Sequence, residues 1–147
     1  MDDTDTTPRG IRGVLASFNA RDRDAFRDLL REDARLDVGG TGVVIEGRDE
    51  VVAAVAFTFD ALPDLRVATE LAFADGAHGV AEVVRTGTHT GRAADAGGGV
   101  VEPSGNPVRL PECALFTIRG GRVARMAVYS DRAHTARQFG MGSDDGG

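Results

Sequence analysis

The feature that most constrains the fold is a change of hydrophobic period along the chain. Apolar side chains in much of the N-terminal part recur every three or four residues, as on a helix, whereas later segments alternate every second residue, as on a strand. Helices followed by antiparallel strands are typical of an α+β fold, in which the helices cover one face of a curved sheet. Three long strands are predicted in the C-terminal half: Val80–Thr90, Asn106–Ile118 and Arg122–Asp131.

The predicted helices begin and end at residues suited to those positions. Thr7 and Pro8 are expected to start the first helix, because a hydroxyl caps a helix and proline suits its first position. Asp22 is expected to cap the second helix, and Pro63 to stop the third. The helices are predicted at about residues 9–19, 22–31 and 48–61, with a short closing helix over Ala133–Phe139.

The remaining segments complete a single domain of 147 residues. Short strands are predicted at Ala34–Val38 and Val43–Ile45, and apolar side chains at every second position from Leu65 to Phe73 indicate a half-buried strand. The glycine-rich connection Gly91–Gly105 is expected to contain little structure. We expect order over about residues 8–141 and flexible tails at residues 1–6 and 142–147.

Charge and composition argue against several classes of function. A net charge of −6 without a large basic cluster disfavours nucleic-acid binding, which needs a concentrated positive surface. No apolar run approaches the roughly 20 residues that span a bilayer, and the N-terminus lacks the features of a signal peptide. We therefore expect a soluble, cytoplasmic protein without a membrane partner. All 17 basic residues are arginine, which excludes imine chemistry on a lysine.

Short motifs along the chain, in a fixed order, point to a known family. They are Phe18-Asn19-Ala20-Arg21-Asp22, Pro63-Asp64-Leu65, Gly87-Thr88-His89-Thr90-Gly91, Pro103-Ser104-Gly105, Gly121-Arg122-Val123, Tyr129-Ser130-Asp131 and Gln138-Phe139-Gly140. Through them the chain resembles the SnoaL-like polyketide cyclases of the nuclear transport factor two-like superfamily, over about residues 10–141. The resemblance implies a cone-shaped α+β fold with three N-terminal helices packed on a strongly curved antiparallel sheet.

The resemblance also implies an activity and a catalytic residue. In polyketide cyclases of this family, a carboxylate at the end of the last strand serves as general acid/base in an intramolecular aldol ring closure, and Asp131 falls on that position. The chain departs from the family pattern at Arg125-Met126, where many relatives carry Glu-His, and at Thr117, where they carry arginine. The connection Arg92–Ser104 is also longer than usual.

Asp131 is the first candidate for catalysis. Burial is expected to raise the pKa of its carboxyl toward neutrality, as an acid/base group requires. The alternative is that Asp131 only caps the closing helix. Tyr129 shares the strand parity of Asp131 and is expected to line the same cavity, as a substrate-binding residue. Met126 and Val128 then lie on the opposite face, where they predict a homodimer.

Four further residues are candidates for substrate binding: His89, Asp37, Glu112 and Phe18. His89 could donate to a substrate oxygen, or be an edge-strand histidine bonded to the backbone. Asp37 resembles in position the base of ketosteroid isomerases, although Ile11–Phe18 lacks the tyrosine those enzymes use, and it could instead be a solvated residue paired with Arg35. Glu112 and Arg85 could face the cavity, but charged strand residues usually face solvent.

Three functions remain open. The leading hypothesis is a cofactor-free cyclase or isomerase that acts on a polyketide-like or other apolar carbonyl compound, with Asp131 moving the proton. A non-catalytic domain that binds a small apolar molecule would need the same cavity. Epoxide hydrolysis would need Asp37, Arg35 and Asp131 on a shared face. No spacing of His, Asp and Glu predicts a metal site.

Overall fold

A six-stranded sheet and four helices make up the part of the chain that the computed structural model describes, residues 3–94 and 99–140, with side chains described from Thr6. No helix in these residues is long and apolar enough to cross a membrane. The helices are α1 (Asp3–Ala20), α2 (Arg23–Leu29), α3 (Arg48–Ala61) and α4 (Arg132–Gln138). The strands are β1 (Leu30–Val38), β2 (Val43–Glu46), β3 (Arg66–Asp75), β4 (His78–Thr88), β5 (Ala93–Ala94), β6 (Val100–Val101), β7 (Pro107–Arg119) and β8 (Arg122–Ser130).

The large sheet has the strand order β2-β1-β8-β7-β4-β3 and confirms the predicted α+β class. One detail of the prediction is wrong, because the sheet is mixed: β1 and β8 run parallel, with Leu36 opposite Met126. Consecutive strands joined by a short turn must be antiparallel, whereas β1 and β8 are far apart in sequence and are free to pair in parallel. The alternation of apolar and polar residues within a strand does not indicate which distant strand it pairs with or in which direction.

Helix α1 starts earlier than predicted, at Asp3, and Pro8 lies inside it. The Thr7 hydroxyl does not cap the helix; its Oγ1 is fully buried and donates to the carbonyl oxygen of Gly76 at 2.8 Å. This tertiary hydrogen bond fastens α1 to the β3–β4 turn. Pro8 has no N–H and cannot donate the helical hydrogen bond at its position. The tertiary contact of Thr7 holds the helix in spite of this loss. Residues Asp3–Thr6 of the predicted tail are helical, while residues 141–147 lie outside the described part.

The other helix ends follow the predicted signals more closely. Asp22 caps α2, where its Oδ1 accepts from the backbone N–H of Ala25 at 3.0 Å. Helix α3 ends at Ala61, two residues before Pro63. Helix α2 is shorter than predicted, because β1 begins directly at Leu30, whose side chain is 1% exposed in the core.

The two faces of the large sheet have different surroundings. We call the face that packs against α1 and α3 the inner face, and it carries buried residues such as Leu36, Phe116 and Met126. Val128 shares the parity of Met126 and also packs against the core, whereas Tyr129 lies on the outer face and is 44% exposed. The predicted alternation of β8 is right, but its two faces were assigned the wrong way round.

A bulge explains why β3 is less buried than its pattern predicts. The pairing of β3 with β4 shifts between Thr69 and Leu71, and one extra residue turns the following side chains to the other face. Val67, before the bulge, is 8% exposed, whereas Leu71 and Phe73 are 53% and 58% exposed. The strand therefore places apolar side chains at the surface.

The glycine-rich connection is more ordered at its ends than predicted. Ala93–Ala94 pairs with Val100–Val101 in a second, two-stranded sheet, and Ala93 is buried. Gly91 donates its N–H to the carbonyl oxygen of Ala61 at 3.1 Å, and a Cβ at Gly91 would lie only 1.7 Å from the carbonyl oxygen of Asp60. Only glycine allows the connection to approach the end of α3 so closely.

Candidate active site

A cavity of about 240 Å³ lies between the inner face of the sheet, α3 and α4. We call it the inner cavity. Its apolar lining residues are Leu36, Val38, Ile45, Ala54, Phe57 and Phe139, and its polar lining residues are Thr58, Arg85, Arg132 and Thr135. An apolar cavity with a few convergent polar groups is the usual form of a small-molecule site.

Arg85 on β4 is the charged group deepest in this cavity. Its guanidinium donates through Nη1 to Thr58 Oγ1 at 2.9 Å and through Nη2 to the carboxylate of Glu112. The side chains of Arg85 and Glu112 are only 14% and 10% exposed, so little solvent screens the pair. Arg85 and Glu112 come from neighbouring strands, β4 and β7, and lie diagonally on the inner face. The prediction that Glu112 faces the cavity side of the sheet agrees with this arrangement.

One donor of Arg85 is unpaired. Within the described part of the chain, its Nε is buried and has no hydrogen-bond partner. A buried N–H without an acceptor costs on the order of 1–3 kcal/mol. Arg85 lines the cavity, so its positive charge can stabilise negative charge that develops on a bound oxygen atom.

Asp131 is the N-cap of α4. Its Oδ1 accepts from the backbone N–H of His134 at 3.0 Å, and the side chain is exposed. This hydrogen bond holds the pKa of the Asp131 carboxyl below its usual value. The predicted burial and raised pKa are wrong, because the helix N-terminus stabilises the ionised form, while the capping alternative is confirmed. The next residue, Arg132, is the one that lines the inner cavity.

His89 is completely buried just beyond β4. Its Nδ1 accepts from the backbone N–H of Ser104 at 3.2 Å and lies 3.1 Å from Ser104 Oγ, which confirms the alternative of a backbone-bonded histidine. Burial lowers the pKa of the imidazole, so the ring is neutral near pH 7. The ring packs edge-on against Phe139, at 5.1 Å between centroids, and so touches the cavity wall from the side of the core.

Three other predicted residues lie elsewhere. Tyr129 is on the outer face, where its ring packs against Gly39. Asp37 is also on the outer face, opposite in parity to the cavity-lining Leu36 and Val38, so the comparison with the base of ketosteroid isomerases fails. Phe18 packs edge-on against Phe26 and Phe59 in the core, with ring centroids 5.2 and 5.5 Å apart.

Asp37 has a structural role of its own. Its two carboxylate oxygens accept from Arg35 Nε at 2.9 Å and from Arg125 Nε at 2.6 Å, and the side chain is 13% exposed. The predicted pairing with Arg35 is right, but the predicted solvation is wrong. Burial alone would raise the pKa of Asp37, but the hydrogen bonds from Arg35 and Arg125 outweigh it and lower the pKa.

The lowered pKa of Asp37 predicts a loss of stability in acid. Its contribution is fully present above the unfolded-state pKa, about 3.9, and is lost as the pH falls through the folded-state value. We expect Asp37→Asn to lower the free energy of unfolding at pH 7 by about 1–3 kcal/mol and to flatten its decline below about pH 4. Urea unfolding across pH measures both effects.

The matched control is Asp33→Asn. Asp33 pairs with Arg31 at the same spacing on β1, but the Asp33 side chain is 74% exposed. Solvent screens that pair, so its removal should change stability less than the removal of Asp37. Equal losses in the two variants would contradict the structural role of the Asp37 cluster.

Sequence reasoning left Arg132, Thr58, Phe57 and Phe139 out of the site. A signal was available for the Arg85–Glu112 pair: Arg85 has the parity of the apolar residues Ala81 and Val83 on its own strand. A charged residue that shares the parity of apolar residues on its strand indicates an ion pair that faces the core. Within residues 3–94 and 99–140, no three His, Cys, Asp or Glu side chains are grouped so that they could hold a metal ion.

Comparison with known proteins gives a family match over most of the chain. The sequence model of the SnoaL-like polyketide cyclase family matches residues 10–139. A search of curated protein sequences finds no significant match.

Several solved structures share the fold. A candidate SnoaL-like polyketide cyclase from Jannaschia sp. CCS1 is 24% identical, with a TM-score of 0.79 and coverage of 92% of both chains. IdmH from Streptomyces antibioticus, a candidate polyketide cyclase, is 24% identical, with a TM-score of 0.71 and coverage of 90% of this chain and 97% of that one. An epoxide hydrolase of the LEH type from M. tuberculosis is 17% identical, with a TM-score of 0.70 and coverage of 93% and 91%. Identities of this size support the fold alone.

Proposed function

Because the chain belongs to the SnoaL-like polyketide cyclase family, we propose that it catalyses cofactor-free proton transfer next to a carbonyl group, as a cyclase or isomerase of an apolar carbonyl compound. The observation that carries this proposal is the buried Arg85–Glu112 pair on the inner face of the sheet, with Arg85 lining the inner cavity. A carboxylate paired with a fixed cation at the wall of an apolar cavity combines a base with a site for the developing oxyanion.

The reaction requires two roles from this pair. The carboxylate of Glu112 removes a proton from the carbon next to the carbonyl, and the electron pair of that C–H bond moves to the carbonyl oxygen to form an enolate. Arg85 donates to the enolate oxygen, where a hydrogen bond in an apolar cavity is worth more than in water. In an isomerisation, the protonated Glu112 returns the proton to another carbon. In a cyclisation, the enolate carbon attacks a second carbonyl of the same molecule, and the new alkoxide takes the proton.

The predicted role of Asp131 as the acid/base stays open to test, and the geometry supports it less than it supports Glu112. The Asp131 carboxylate is engaged by the helix N-terminus, and its pKa is lowered. A general base works best when its pKa lies near the working pH, so a carboxylate with a lowered pKa is a weak base. We place the proton transfer on Glu112 because its side chain is only 10% exposed and lies beside Arg85, which lines the inner cavity.

Epoxide hydrolysis finds no support in the placement of its required residues. The constellation considered for it joins Asp37, Arg35 and Asp131 on one face. Asp37 is bonded to Arg35 and Arg125 on the outer face of the sheet. The hydrogen bonds of Asp131 are made within its own helix.

The test of the proposed chemistry is exchange of α-protons in D₂O, which needs no knowledge of the natural product. Cyclic ketones and 1,3-diketones of one ring are incubated with the protein, and the α-proton signals are followed by NMR. We expect exchange faster than in buffer at the same pH. Compounds that bind, as seen from changes in protein chemical shifts, but exchange no faster would instead support the non-catalytic binding domain.

We also propose a homodimer formed through the outer face of the sheet. The apolar patch of Met126 and Val128 that predicted the dimer is not on the outer face, because Met126 is 3% exposed on the inner face. The outer face instead exposes other apolar side chains: Val44 at 44%, Leu71 at 53%, Phe73 at 58% and Tyr129 at 44%. Burial of this surface against a second copy would remove it from water.

Light scattering at micromolar concentration should give a mass of about twice 15.4 kDa. Phe73→Glu should shift the mass toward that of one chain, because the charge would be buried without a partner in the dimer. Val100→Glu is the control, since Val100 is equally apolar and 53% exposed but lies in the small second sheet. A mass of 15.4 kDa for the unchanged protein would reject the dimer.

A further inference from the structure

Thr58 on α3 directs its hydroxyl away from its own helix. A threonine hydroxyl inside a helix often donates to the carbonyl oxygen one turn earlier. Thr135 on α4 follows this pattern, because its Oγ1 donates to the carbonyl oxygen of Asp131 at 3.1 Å. Thr58 Oγ1 makes no such bond within the described residues and instead accepts from Arg85 Nη1 at 2.9 Å. Its side chain therefore points across to β4, where Arg85 is located.

The hydrogen atom of the Thr58 hydroxyl has no protein acceptor in residues 3–94 and 99–140. A hydroxyl can accept and donate at the same time, whereas a guanidinium can only donate. Arg85 therefore uses a lone pair of Thr58 Oγ1 and leaves the hydrogen for another group. Thr58 lines the inner cavity and is partly exposed, so this donor, unlike the covered Arg85 Nε, is placed to meet a ligand.

The contact with Arg85 makes Thr58 a stronger donor than an isolated threonine. A hydroxyl that accepts a hydrogen bond becomes more polar, and successive hydrogen bonds strengthen one another. The bond from Arg85 is charge-assisted, and the carboxylate of Glu112, bonded to Nη2, fixes the orientation of the guanidinium. Both charged side chains are largely buried, so little water weakens this chain of bonds. The Thr58 hydroxyl therefore carries part of the polarising effect of Arg85 into the cavity.

The walls of the inner cavity favour a ligand oxygen at this hydroxyl. Apart from two threonines and two arginines, every lining residue is aliphatic or aromatic. A carbonyl oxygen that enters such a cavity loses its hydrogen bonds to water, which costs free energy unless a donor replaces them. Thr135 has already used its hydrogen, and Arg132 is exposed to solvent. Thr58, backed by Arg85, is therefore the donor that the cavity presents to a carbonyl oxygen.

We propose that Thr58 is a catalytic residue, whose hydroxyl donates to the carbonyl oxygen of the substrate and holds the enolate oxygen that forms there. The hydrogen bond strengthens as negative charge develops on that oxygen, so it lowers the barrier more than it tightens binding. The proton of Thr58 stays on Oγ1, and no covalent bond to Thr58 forms. The part in catalysis rests on the proposed function, whereas the contact with the carbonyl oxygen does not.

The contact with the oxygen is tested with cyclohexanone labelled with ¹³C at the carbonyl carbon. A hydrogen bond to a carbonyl oxygen draws electrons from the carbon and moves its NMR signal downfield. We expect the signal of the bound ketone to move upfield in Thr58→Val, which replaces the hydroxyl with a methyl group of similar size. Thr58→Ser restores the hydroxyl and should return the signal toward its position in the unchanged protein.

The part in catalysis is tested by α-proton exchange of the same ketone in D₂O. At a saturating concentration of ketone, Thr58→Val should exchange about 10²–10³-fold more slowly, the usual loss when one donor to an oxyanion is removed. Thr58→Ser should recover most of the rate. The control is Thr117→Val, which also removes a hydroxyl bonded to a side chain, at 3.2 Å from His78 Nδ1, but on the outer face. Its exchange rate should be normal.

The outcomes distinguish the role of Thr58 from the proposed chemistry. If Thr58→Val leaves the carbonyl signal or the exchange rate as it is in the unchanged protein, the catalytic role of Thr58 is overturned. A loss of exchange that is equally large in Thr58→Ser or Thr117→Val would also overturn it, because the loss would then reflect damage to the fold. A signal that depends on Thr58 in a protein that exchanges no α-protons would uphold the contact with the carbonyl and overturn the proposed chemistry.

Discussion

Glu112→Gln is expected to slow α-proton exchange by about 10²–10⁴-fold, the usual contribution of a positioned acid/base group. Glutamine keeps an oxygen that accepts from Arg85, so the cavity should retain its shape, although loss of the counter-charge of Arg85 lowers the free energy of unfolding. What is lost is the ability to take and return a proton. The exchange rate measured by NMR at a saturating concentration of the ketone separates this loss from a loss of binding.

Asp131→Asn is the matched control for Glu112→Gln. Asparagine caps a helix about as well as aspartate, so the fold and α4 should be preserved. If Glu112 moves the proton, Asp131→Asn should exchange α-protons at close to the normal rate. A large loss in Asp131→Asn together with normal exchange in Glu112→Gln would return the catalytic role to Asp131, as the family resemblance implies. Thermal unfolding of both variants checks that neither result reflects a damaged fold.

Arg85→Met should lower the free energy of unfolding by about 3–5 kcal/mol, the second large effect expected for this protein. The substitution keeps the length of the side chain but leaves the carboxylate of Glu112 buried without a cation. The double variant Arg85→Met/Glu112→Leu should recover most of the loss, because an apolar pair of similar volume avoids desolvation of both charges. Urea unfolding measures all three proteins.

The control for Arg85→Met is Arg92→Met. Arg92 also pairs with a glutamate, Glu102, but the two side chains are 67% and 68% exposed. Breaking an exposed pair should cost only about 0–1 kcal/mol. If the Arg85 and Arg92 variants lose equal stability, the inner pair is hydrated in solution and the proposed electrostatic role of Arg85 fails.

The candidate site shows where sequence reasoning reached its limit. The resemblance directed attention to Asp131, which is at the predicted end of the last strand but is occupied with capping α4. Glu112 was a candidate for substrate binding, with exposure to solvent as the alternative. Its burial depends on the presence of Arg85 on the neighbouring strand, and the separation of 27 residues between the two carries no local pattern.

The sequence by itself determined which segments are helices and which are strands. Hydrophobic period, the cap at Asp22 and the stop at Pro63 act over a few residues, so they can be recognised without knowledge of the rest of the chain. The α+β class and the family motifs follow from the order of these local signals.

Only the tertiary structure decided which face of each strand meets the helices. Alternation separates the two faces of a strand but does not say which is covered, so Tyr129 and Val128 exchanged their expected places. The bulge after Thr69 moved Leu71 and Phe73 to the surface without any change in their spacing. Pairing with a strand distant in sequence decides which face of a strand is buried. The neighbouring strand supplies the backbone hydrogen bonds, the apolar packing and the opposite charge that a buried side chain needs.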